Sequence, residues 1–95
     1  MKTLKAIVLI AAMMMTTISF AADPVKIALV IPITIDDLAW SQAMYEGLKG
    51  AQAELGADNL TFEVSERLCN AVDAGAAIRQ YAMKGFNIVI AHGAQ

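Results

Sequence analysis

Seven residues in two short segments have the chemistry to hold a ligand: Asp36, Asp37, Trp40 and Ser41 in the first, and His92, Gly93 and Gln95 in the second. Adjacent carboxylates can accept hydrogen bonds from ligand hydroxyls, because an ionised carboxylate presents only acceptors. One of the two can equally cap a helix, and one acid in each role is expected, with either order open. Trp40 can stack on a flat ring or a sugar face, or pack into a core from the first turn of a helix. Gly93 can let backbone approach a ligand, or simply make a turn. His92 could contact a ligand or serve as a base, but it is the sole histidine, and no cysteine or serine is placed to pair with it. No catalytic residue is therefore assigned, and neither a metal ligand set nor a cofactor.

The elements around these segments would bring them together. Residues 25–31 form an apolar run broken only by Lys26, which suits a central strand covered on both faces. Pro32 cannot donate to a ladder and ends it. Larger apolar residues then fall at Trp40, Met44, Leu48, Ala51 and Leu55, one stripe of a helix that Gly56 stops. Gly47 and Gly50 inside that helix suggest a close approach to a strand or neighbouring backbone. Residues 60–65 alternate as a half-exposed strand does. After a polar connection at 66–70, Ala74, Ala77, Ile78, Tyr81 and Ala82 mark a second amphipathic helix ending at Gly85, and residues 86–91 form a third strand.

The order β, α, β, α, β predicts a parallel, doubly wound α/β sheet of flavodoxin-like type, with strand 1 between strands 2 and 3. In such sheets ligands bind outside the carboxyl ends of the strands at the switch point. The loops after strands 1 and 3, which carry the seven residues, should meet there.

Composition bounds the rest. Lys2 and Lys5 precede an apolar run at 6–15, and small residues at Ser19 and Ala21 have signal-peptidase spacing, so residues 1–21 read as a secretory signal with cleavage after Ala21, or alternatively after Ala22. The run is shorter than the ~20 residues a membrane anchor needs. Removing 21 of the 95 residues leaves 74, in which five basic residues face nine acids for a balance of −4. That charge, with no clustered basic face, excludes a nucleic-acid binder. The single cysteine, Cys69, is expected to be buried and inert. Seventy-four residues are few for an α/β domain, and the last strand lacks a following helix, so residues 22–95 are expected to be the first part of a longer protein with an incomplete lobe.

The segment Thr34-Ile-Asp-Asp-Leu-Ala-Trp-Ser-Gln-Ala-Met-Tyr-Glu-Gly, after an export signal and an apolar strand, resembles the basic membrane protein (BMP) family of ABC-importer solute-binding proteins, which includes purine nucleoside receptors. The family pattern of two acids, two spacers, an aromatic, a small polar residue and a later glycine falls here on Asp36, Asp37, Trp40, Ser41 and Gly47, and residues 87–95 are similar to the family's third strand and loop. Several members carry phenylalanine and asparagine where this chain has Trp40 and Ser41. The resemblance implies two α/β lobes with ligand held between them, of which this chain would be the beginning. It implies Asp36, Asp37, Trp40, Ser41, His92, Gly93 and Gln95 as ligand contacts, a small polar solute such as a nucleoside, a periplasmic location, and permease subunits at the inner membrane as partners. Since no cysteine is placed for lipidation at the cleavage point, a freely soluble receptor is expected.

Two alternatives stand beside it, a sugar receptor of similar two-lobe architecture and an exported α/β hydrolase whose nucleophile lies elsewhere. No Gly-x-Ser-x-Gly elbow is present. A response-regulator site, with paired acids beside a phosphorylated aspartate, is excluded by the export signal and by the absence of aspartate from residues 92–95.

Overall fold

The computed structural model describes residues 23–95, so the expected signal and its cleavage point lie outside the described residues. Three strands and two helices alternate: β1 (Val25–Val30), α1 (Trp40–Leu55), β2 (Leu60–Ser65), α2 (Ala71–Met83) and β3 (Ile88–Ala91). The sheet is parallel with order β2-β1-β3, as the pattern predicts.

The near-continuous apolar character of β1 follows from its place between two helix layers. Side chains alternate across a strand, so Ile27 and Leu29 face one way and Ala28 and Val30 the other. Ile27, Leu29 and Ile31 join Leu48 of α1 and Leu60 in one buried cluster, with Met44, Ala51, Phe62 and Ile90 packed against it. Ala28 and Val30 join Ala74 and Tyr81 of α2 in the second, with Ile78, Phe86 and Val89 around them. Residues 28–31 are wholly buried. Each large aliphatic side chain so removed from water contributes about 1.5–3 kcal/mol, which makes β1 the strand on which both loops of interest are hung.

The ends of the helices are set by side chains and glycines. Asn70 caps α2 by accepting the Asp73 N–H at 2.9 Å. Gly56 closes α1 in a positive-φ conformation (92°) and donates its N–H to the Gln52 carbonyl, a conformation open to glycine at little cost.

Several local expectations are corrected. Gly47 and Gly50 meet no neighbour: a Cβ built on either finds nothing within 4 Å. The sheet-facing side of α1 is made by Met44, Leu48 and Ala51, which turns both glycines to solvent. Trp40 and Leu55, at the two ends of the stripe, are exposed because the helix overhangs the small sheet. Cys69 is an exposed free thiol, not a buried one, since it lies in the connection before Asn70 and off the sheet. The third strand starts at Ile88, two residues late, because Phe86 packs edge-on against Tyr81 and Asn87 bonds to Lys26 through both its backbone N–H and its side-chain carbonyl.

Candidate functional site

The carboxyl end of the sheet is where the two segments meet. The backbone N–H of His92 donates to the Val30 carbonyl at 3.0 Å, continuing the β1–β3 ladder one residue past the strand. This brings the His92 ring flat against the indole of Trp40, with centroids 4.7 Å apart and planes 9° from parallel. His92 Nε2 lies 3.1 Å from the Trp40 carbonyl oxygen. A carbonyl only accepts, so Nε2 carries the hydrogen.

Asp37 is the acid that caps the first helix. Its Oδ1 accepts the N–H groups of Ala39 and Gln42, both at 3.0 Å, and its Oδ2 accepts the Ser41 N–H at 3.1 Å. The residue in the N-cap position is Ala39, whose own side chain makes no cap, so Asp37 reaches in from two residues earlier. The Gln42 N–H does most to hold the Asp37 carboxyl below its ordinary range; burial opposes it, and the Ala39 and Ser41 donors add to the lowering. The Gln42 side chain returns the contact by accepting the Leu38 N–H at 2.9 Å, which holds Leu38 at φ 56°. Leucine seldom adopts that region. Asp36 is exposed, and no side-chain hydrogen bond joins it to another described residue.

Sequence reasoning missed the third loop that steadies this arrangement. Glu66 accepts the Ile35 N–H at 2.9 Å, the Arg67 N–H donates to the Ile33 carbonyl at 2.8 Å, and the Leu68 N–H donates to the Ile31 carbonyl at 3.1 Å. Residues 66–68 read only as a polar connection. Their position directly after a strand that neighbours β1 was the available signal.

The remaining members of the expected site divide. Ser41 is 1% exposed, and its hydroxyl has no hydrogen-bond partner, lying close enough to Asp37 to help hold its charge but outside bonding geometry. It therefore faces the interior and not the loop surface. Gln95 folds back so that its Nε2 is 3.4 Å from the Val30 carbonyl, a long contact, while its Oε1 is buried without a partner. Gly93 has φ 153°, and a Cβ there would stand 2.8 Å from both Cγ and Cδ of Pro32 and against the Gln95 amide oxygen. Only glycine fits.

Between the loops lies an open, apolar depression of about 390 Å³ lined by Pro32, Trp40, Gly93 and Ala94. Trp40, 65% exposed, is its aromatic wall. Two depressions are larger, one of about 470 Å³ on α2 and one of about 480 Å³ between α2 and the end of β2 with its loop, but neither joins the β1 and β3 loops or presents an exposed aromatic ring. Among the described residues no group of three or more His, Cys, Asp or Glu side chains could hold a metal ion. No helix among them is long and apolar enough to cross a membrane.

A class of protein follows only as far as the fold: a parallel α/β unit with an aromatic depression at its switch point. Comparison with protein-family models, with curated proteins and with solved structures returned no match.

Proposed function

We propose that this chain belongs to the solute-binding component of an ABC importer, of the kind its sequence resembles, and that it holds a small polar solute with one flat face. The observation that carries the reading is the meeting of the β1 and β3 loops around an exposed tryptophan whose other neighbours are a proline, a glycine and an alanine. An open aromatic face beside small residues suits a planar ring laid on the indole. Asp37 is occupied by the start of α1, so Asp36 is the carboxylate left to accept ligand hydroxyls. A ring plus vicinal hydroxyls is the chemistry of a nucleoside. In this reading the protein is exported, works in the periplasm, docks on permease subunits and catalyses nothing itself.

The test is calorimetric titration of a nucleoside and sugar panel against the protein as its gene encodes it, with Asp36→Ala and Trp40→Ala beside it. Asp36 is exposed in the free protein and would be shut off from water only by the bound solute, so Asp36→Ala should weaken binding about 5-fold to 150-fold, as expected when ligand hydroxyls lose their acceptor in the complex. Tight binding of sugars alone would move the reading to a sugar receptor. Unchanged affinity in both variants would remove the site from this end of the sheet.

A further inference from the structure

We infer that His92 is a positioning residue for Trp40: it covers one indole face and fixes the ring, so that the site offers a single aromatic face to a ligand and takes one ring stacked on one side. The inference rests on the solute-binding reading and specifies how its aromatic contact is made.

Three observations support it. Trp40 is the first residue of α1 and 65% exposed, so no core packing holds its ring in one rotamer. His92 touches it twice, by the parallel stack at 4.7 Å and by the Nε2 bond to its carbonyl at 3.1 Å, which together set both the height and the azimuth of the imidazole over the indole. The imidazole is itself anchored, since the His92 N–H is bonded to Val30 at the end of the buried central strand, and the next residue is the glycine that must lie against Pro32. A stacked imidazole consumes one π-face. Trp40 also borders the depression with Pro32, Gly93 and Ala94, and the face that the imidazole leaves uncovered is the one we assign to a ligand. An aromatic pre-set in this way gives up less side-chain freedom when a ligand arrives, which is the physical basis of tighter binding by preorganisation.

The chain has one tryptophan and one histidine, which makes the contact directly readable. The full-length protein is titrated with adenosine, with ribose as the ring-free control, in four forms: native, His92→Ala, Trp40→Ala and the double variant. A positioning role predicts that His92→Ala weakens adenosine binding about threefold to tenfold in the native background and has no effect once Trp40 is alanine. His92→Phe keeps a flat ring over the indole and should restore most of the lost affinity and the native near-ultraviolet circular dichroism of Trp40, which His92→Ala should flatten. Equal losses from His92→Ala with and without Trp40 would show that His92 contacts ligand directly and overturn the positioning role while leaving the binding reading intact. Failure of the native protein to bind adenosine or any solute of the panel would overturn the binding reading, and the proposal with it.

Discussion

Replacing Gly93 with alanine forces a choice that magnitudes decide. With the loop held where it is, the new methyl lies 2.8 Å from two atoms of the Pro32 ring, and the backbone must keep φ near 153°. The backbone conformation costs about 1–3 kcal/mol for a residue with a side chain, and the collision adds about 1–3 kcal/mol, because a proline ring next to a buried strand cannot swing away. Moving the loop outward instead sacrifices the Trp40–His92 stack, about 0.5–1.5 kcal/mol, and the Nε2 bond, about 0.5–1.5 kcal/mol; the 3.4 Å contact of Gln95 adds little. Outward movement is the cheaper route. Gly93→Ala should therefore lose about 1–3 kcal/mol in urea denaturation, and in native buffer its single tryptophan should emit as a more solvated ring, with near-ultraviolet dichroism reduced. A variant as stable as the native protein, with unchanged Trp40 spectra, would mean that residue 93 is not wedged against Pro32.

Three further outcomes follow from the same geometry. Leu29→Ala, at a wholly buried position in the central strand, should cost about 2–5 kcal/mol in urea denaturation, whereas Val72→Ala, at a position 79% exposed, should stay within about 0.5 kcal/mol. The Asp37 carboxyl is held below its ordinary value of 3.8 by the donors at the start of α1; its contribution to stability is full above that value and is lost as pH falls through the lowered one, so Asp37→Asn should flatten the acid limb of a stability-against-pH profile that is steep in the native protein. Intact-mass measurement of protein recovered from the periplasm should give a chain beginning at Ala22, and a species retaining Met1 would contradict export with cleavage.

The strand order was legible because β1 is apolar on every position that two helix layers cover, while β2 alternates as an edge strand does. The meeting of the two loops followed from that order alone, and the His92–Trp40 contact lies where the topology required the loops to meet. Side-chain direction at the loop ends was not legible. Trp40 falls on the apolar stripe of α1, yet the sheet is too narrow to cover the first turn, so a residue with core periodicity is exposed. Ser41, one position on, faces inward, which spacing by itself could not distinguish from a surface contact. Which acid caps α1 turned on the positive φ of Leu38, which places the Asp37 carboxylate under the N–H groups of the first turn. Gly47 and Gly50 carry helix-weakening residues on a solvent face, and nothing in the structure explains them.

Stacking of a flat-faced solute on Trp40 at the switch point is directly measurable, because the chain has a single tryptophan. Adenosine is titrated into the native full-length protein while Trp40 emission is followed, with calorimetry on the same samples. Stacking on the indole should give a saturable change in emission whose midpoint matches the calorimetric affinity and which ribose does not reproduce. Calorimetric binding of adenosine with no change in Trp40 emission would rule out stacking on Trp40, because the ligand would then be held away from the indole.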